Sequence, residues 1–184
     1  EARFESCGQK WMDMSEGHYG VSLLNDCKYG HSALDGVMTL TLIKSGIEPN
    51  PTADQEEHTF TYALYPHAEG WRQANTVQEA MKLNQPLLSE DGGHAGCQNS
   101  FVWVDKSNVI IETVKMAEDD DGIIVRLYES ENAKTKAHIF FGEKISSVES
   151  CNCLEEIKQT IETDGEGFEI TVKPYEIQTY RVRF

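Results

Sequence analysis

At 184 residues the chain is long enough to bury a real core, and 39% hydrophobic with 26% charged residues is the balance of a folded globular protein. Sixteen Lys+Arg against 31 Asp+Glu leave a net charge of −15, which repels phosphate backbones and anionic headgroups and argues against nucleic-acid and membrane partners. No apolar run approaches the ~20 residues that span a bilayer, and EARFESCGQK lacks the pattern of a signal peptide.

Along the chain, period-2 alternation dominates. The stretch GHYGVSLLNDCKYG (Gly17 to Gly30) sets polar residues around one short apolar run, readable as a loop and the end of a strand. Asp35-Gly36 is a hairpin signal leading into GVMTLTLI, where Met38, Leu40 and Leu42 share a face. After the connection SGIEPNPTADQEE comes EHTFTYALYPH, with Phe60, Tyr62 and Leu64 alternating against Thr59, Thr61 and Ala63. In GWRQANTVQEAMKLN the residues Trp71, Ala74, Val77, Ala80 and Met81 recur at helical spacing, predicting one short helix around 71–84. The glycine-rich SEDGGHAGCQNS reads as a mobile connection.

The second half continues in the same way. SFVWVDK places Phe101 and Trp103 on one face, expected to pack in the core. NVIIETVKMA runs into the turn Glu118–Gly122, where consecutive acids followed by glycine suit a solvated turn better than a calcium loop with its alternating acids. GIIVRLYESE, TKAHIFFG and GFEITVKP are further strands. In YEIQTYRVRF the apolar parity slips between Thr179 and Tyr180, which predicts a bulge or a change of partner. About ten short strands, one helix and no βαβ alternation describe a mainly β protein, an antiparallel β-sandwich of supersandwich type, in a single domain over 1–184.

Chemistry-bearing patterns are sparse. The five cysteines (Cys7, Cys27, Cys97, Cys151, Cys153) form no disulfide framework and no C-x-x-C pair, and read as reduced thiols. There is no G-x-S-x-G elbow, and a dyad of Cys27 with His18 or His31 has only sequence proximity behind it. With 31 acids, a pair of glycosidase carboxylates can be drawn anywhere. Trp11 and Trp71 are left open as residues able to stack on a sugar ring.

Long strings spread from end to end resemble one family. RFE, KWMDMSEGHYGVSLLNDCKYG, DGVMTLTLIKS, PTADQEEHTFTYALYPH, LNQPLL, VIIETVKMAEDDDGIIVRLYE and KPYEIQTYRVR, in this order, resemble the C-terminal β region of the glycoside hydrolase family 38 α-mannosidases. The branch is that of cytosolic, vacuolar and bacterial enzymes. The resemblance implies a retaining exo-α-mannosidase with an Asp nucleophile and a zinc ion, both held by an N-terminal catalytic domain whose His-x-Asp motif has no counterpart in this sequence. The chain is therefore expected to be a C-terminal fragment, in keeping with Glu1 where an initiator Met would stand, inactive alone and without a cofactor of its own. Its implied partners are the missing catalytic domain and, through the parent enzyme, mannose-containing glycans. A homo-oligomer is left open, and the setting is cytoplasmic.

The resemblance also implies that a loop of this region nears the sugar site. His18 and Tyr19 would approach the substrate rim, while Asn25, Asp26, Lys28 and Tyr29 either contact it or hold the loop by hydrogen bonds. Against that stands a turn closed by Asn25 and Asp26 with Tyr29 packed on the sheet. Docking of a catalytic domain predicts an exposed apolar or aromatic patch. The competing functions are an autonomous sugar-binding module using Trp11, Trp71 or neighbouring Tyr, and an enzyme in its own right.

Overall fold

A computed structural model describes residues 5–89, 91 and 100–184. Where the sequence suggested one domain, the chain divides into two compact units, 1–91 and 92–184. The boundary falls in the glycine-rich connection of residues 89–100, most of which, with Cys97, lies outside the described residues.

The first unit comprises β1 (Ser6–Cys7), β2 (Trp11–Glu16), β3 (Tyr19–Asn25), β4 (Gly30–Leu34), β5 (Val37–Thr41), β6 (Tyr62–Ala68) and α1 (Thr76–Asn84). They form two three-stranded antiparallel sheets, in the orders β2-β3-β6 and β1-β4-β5. The Asp35-Gly36 turn is present as expected. Leu34 pairs with Val37, and Asp35 and Gly36 take φ of 50° and 78°, the conformation of a two-residue hairpin turn that matches strand twist. β6 starts only at Tyr62, later than the alternation in EHTFTYALYPH suggests. β6 is an edge strand, the position in a sheet where a proline such as Pro66 is tolerated.

The helix also starts late. Residues 71–75 form turns, Asn75 sits in the left-handed region at φ 54°, and the regular helix begins at Thr76. Thr76, Val77 and Ala80 are its buried residues, as the helical spacing of Val77 and Ala80 required.

The second unit is a sandwich built from β7 (Val102–Val104), β8 (Val109–Met116), β9 (Ile123–Glu129), β10 (Thr135–Phe141), β11 (Ser147–Cys151), β12 (Ile157–Ile161), β13 (Gly167–Val172) and β14 (Ile177–Arg183). A three-stranded sheet, β13-β10-β7, and a five-stranded sheet, β12-β11-β14-β9-β8, enclose a core that includes Val125, Leu127, Ile139, Phe168, Val172 and Val182. Trp103 and Phe101 do not join it. Val102 and Val104 pack against the core, while Phe101 and Trp103, of opposite parity, are each 42% exposed. The alternation was right and the face was wrong.

β14 has no bulge. Its pairing with β9 and β11 runs without a shift through Thr179 and Tyr180. The parity slip arises because the strand is central and covered on both sides. Tyr180 and Val182 face the core, and on the other side Thr179 and Arg181 are buried too. The Arg181 guanidinium donates to Asp119 at 2.7 Å, and Arg183 donates to Asp121 and, at 2.7 Å, to Glu149. The acidic turn is thus tied to β14 rather than merely solvated. The neighbouring guanidiniums hold the Asp119 and Asp121 carboxyls below their ordinary range.

One charge lies fully buried in this unit. Glu129, 0% exposed, accepts from the Asn108 amide at 2.9 Å, the Glu131 N–H at 2.8 Å and the Tyr175 N–H at 3.0 Å. It ties the loops that flank β8, β10 and β14. Burial pushes its carboxyl upward, but the N–H groups of Tyr175, the Asn108 amide and Glu131 outweigh this and leave it below the ordinary carboxylate range. A carboxyl lowered in the native state contributes its full stability above that range and loses it as pH falls through the native value. We expect Glu129→Gln to cost about 2 kcal/mol in urea unfolding at neutral pH. The same variant should flatten the fall in stability seen below about pH 4.

Candidate functional site

The chemistry-bearing residues of the first unit gather around β3, which is central in its sheet. On one face, the side chains of Asp13 and His67 are 4% and 3% exposed and meet at 2.8 Å, Oδ2 to Nε2. The Ser22 hydroxyl donates to the same Asp13 oxygen at 2.8 Å and lies 3.2 Å from the same His67 nitrogen. Thr76, at the start of α1, joins Ser22 at 2.8 Å. An Asp, a His and a Ser in contact invite comparison with a hydrolase triad, but the wiring excludes one. A triad needs the acid on Nδ1 and the serine on Nε2, and here both address Nε2. The cluster instead braces α1 against the β2-β3-β6 sheet. Gly20 lets the backbone pass close beneath it, since a Cβ there would overlap the His67 ring and the Ser15 hydroxyl.

The opposite face of β3 is apolar and open. Val21 and Leu23, with Met14 of β2 and Tyr62 and Leu64 of β6, look across a groove of about 960 Å³ at residues of β5 and the chain after it, among them Met38, Leu40 and Leu42. Leu64 is 67% exposed, Tyr62 58% and Tyr19, on the groove's border, 52%. This is the kind of exposed apolar patch that docking predicted.

The six residues singled out from sequence separate into two groups at opposite ends of β3. His18 and Tyr19 are exposed at the turn between β2 and β3, whereas Asn25 ends β3, about 20 Å away at the rise of an antiparallel strand. Asn25 is buried and accepts from the Lys28 N–H at 2.8 Å, and its amide faces His31 Nε2 at 3.2 Å. His31 Nδ1 in turn donates to the Tyr29 carbonyl at 3.1 Å. Asp26 accepts from the Thr61 N–H at 2.9 Å and from the Cys27 thiol, contacts that hold its carboxyl low and push the Cys27 thiol up. The Lys28 ammonium lies 4.7 Å above the Phe60 ring, and the Tyr29 ring is exposed. Asn25 and Asp26 therefore close a turn. Cys27 has neither a histidine partner nor a lowered pKa, and no dyad forms.

Trp11 and Trp71, left open for sugar stacking, pack on each other at 5.1 Å, with the Arg72 guanidinium 4.1 Å over Trp71. No three His, Cys, Asp or Glu side chains converge as a metal-binding group among the described residues. Asp13 and His67 are committed to each other and to Ser22, so the donor set does not fit a zinc ion. No helix of the described residues is long and apolar enough to cross a membrane.

Comparison with known proteins places this architecture. Residues 1–52 match the model of the glycosyl hydrolases family 38 C-terminal domain, and residues 108–180 match that of the family's C-terminal beta sandwich domain. The chain belongs to the C-terminal β region of glycosyl hydrolase family 38. Alpha-mannosidase G of Dictyostelium discoideum is 36% identical over 98% of this family 38 chain. Alpha-mannosidase 2C1 of Homo sapiens is 36% identical over 84%, and the alpha-mannosidase of Saccharomyces cerevisiae 32% over 100%. The chain spans only 17%, 15% and 19% of those relatives' lengths. An alpha-mannosidase structure from Enterococcus faecalis shares the fold at a TM-score of 0.73 and 21% identity, over 96% of this chain and 21% of that one.

The non-local Asp13–His67 contact, 54 residues apart in sequence, escaped sequence reading, and only the period-2 parity of Asp13 within WMDMSE hinted at it. Asp13→Ala should destabilise the first unit by about 3 kcal/mol, because it removes from a buried site the carboxylate that the His67 ring and the Ser22 hydroxyl share. Hydrogen exchange would then quicken at the β3 amides while those of β9 and β14 stay protected.

Proposed function

We propose that this chain is the non-catalytic C-terminal part of a zinc-dependent, retaining exo-α-mannosidase acting on mannose-containing glycans, and that the groove of the first unit seats the remaining, catalytic polypeptide. The carrying observation is the groove itself. Leu64, Tyr62 and Val37 stand exposed together on its walls, an arrangement costly in water and favourable once covered. Membership of family 38 and relatives several times longer than this chain supply the occupant. Tyr19 on the groove border, with His18 in the adjoining turn, is the pair through which this region would reach the rim of the sugar site. Asn25, Asp26 and Lys28 shape the turn at the other end of β3. The cytoplasmic setting belongs to the same proposal.

Leu64→Asp tests it. In the 184-residue chain the substitution falls on an exposed side chain and should leave the melting temperature unchanged. In the full-length enzyme it buries a carboxylate at an apolar contact and should lower kcat/KM on an aryl α-mannoside about tenfold or more. Full activity in that enzyme, or nitrophenol release by the 184-residue chain alone, would refute the assignment.

A further inference from the structure

A second surface feature lies wholly within the second unit, and its interpretation does not depend on the docking groove. On the outer face of the β13-β10-β7 sheet, Trp103 pairs in register with Phe140. Their neighbours in each strand, Val102, Val104, Ile139 and Phe141, belong to or pack against the core, so the two rings point away from it. The rings stack with centroids 5.5 Å apart and planes 11° from parallel. Trp103 sits on an edge strand and keeps 42% of its surface in solvent.

The pair borders a concavity of about 190 Å³ whose other walls include Gly142, Glu143, Lys144 and Glu166. Those three charged side chains are exposed, and among the described residues no hydrogen bond or ion pair occupies their ends. We propose that this concavity is a binding subsite for one pyranose unit of a neutral glycan, with Trp103 as its stacking platform.

The chemistry selects the ligand class. The solvent-facing part of the aromatic pair can take an apolar flat partner, while two exposed carboxylates and an ammonium can exchange water for a partner that both donates and accepts hydrogen bonds around its edge. A pyranose presents C–H groups on one face and hydroxyls around its rim, meeting both demands at once. A purely apolar partner would make no use of the three charged groups, and a phosphorylated one would meet two carboxylates against one ammonium on a chain of net charge −15. The volume is that of a single ring, so affinity should be low and the subsite should hold a glycan rather than capture it unaided.

The test is a titration of the 184-residue chain with an α-linked mannotriose, followed through the indole N–H signals in a proton–nitrogen correlation spectrum. The Trp103 signal should move saturably at millimolar sugar, while those of Trp11 and Trp71 hold still. Trp103→Ala should weaken binding about tenfold, the scale of one lost aromatic partner. The paired change Glu143→Gln with Glu166→Gln, on exposed rim residues, gives an independent readout and should also weaken it. A stationary Trp103 signal, movement confined to Trp11 or Trp71, or an affinity unchanged in both variants would overturn the proposal.

Discussion

A three-stranded sheet has two faces and cannot cover either by itself; the arrangement of the first unit follows from this constraint. β3, central among β2, β3 and β6, has one face closed by α1 through a buried polar network of Asp13, Ser22, His67 and Thr76. Such a cluster is stabilising only when every member is satisfied, and its geometry therefore dictates where the helix must lie. The other face carries half-buried Val21 and buried Leu23 onto a groove whose exposed walls include Tyr62, Leu64 and Val37. The same strand thus has one side specified by hydrogen bonds and one side available to something else.

The second unit meets the constraint differently. Its two sheets cover each other, with Val125, Leu127, Ile139, Val148, Val172 and Val182 all at most 3% exposed. The outer face of the five-stranded sheet is closed by charge: the acidic turn reaches Arg181 and Arg183 of β14, and Glu155 accepts from the Glu118 N–H and pairs with Lys115. Asp119, Asp121 and Glu155 are thereby given structural partners, so these three of the 31 acidic side chains do not simply add to the chain's repulsion.

What was legible in the sequence was whatever local chemistry decides. Asp35-Gly36 specified its turn because few residues accept two positive φ values in succession, and Val77 with Ala80 specified the helix face. Asn25 and Asp26 closed a turn as their side chains favour. What was not legible was which face of an alternating strand is covered. Phe101 and Trp103 share parity with each other, as do Val102 and Val104, and nothing in SFVWVDK says which pair meets the core. The parity slip in YEIQTYRVRF suggests a bulge or a change of partner because a strand buried on both faces and a strand that changes register leave the same local trace. The division between the two compact units falls in SEDGGHAGCQNS, a stretch whose glycines mark a connection without saying that it separates them.

The same limit explains why the candidate site divided. GHYGVSLLNDCKYG is contiguous in sequence, and contiguity invites a single loop, but seven of its residues are an extended strand that carries its ends about 20 Å apart. Residues at one end of such a strand can share a site only with residues that other elements bring there. At the His18–Tyr19 end those are Glu16, which pairs with Tyr19, and Met14, which pairs with Val21, both on the groove. At the Asn25 end they are His31, Thr61 and Phe60, which satisfy the turn's polar groups internally and leave few of them for a ligand. The demand for an outside partner therefore falls on the apolar face along the strand, from Tyr19 to the exposed Leu64 and Tyr62 that pair with Leu23 and Asn25, and not on the polar groups of the turn.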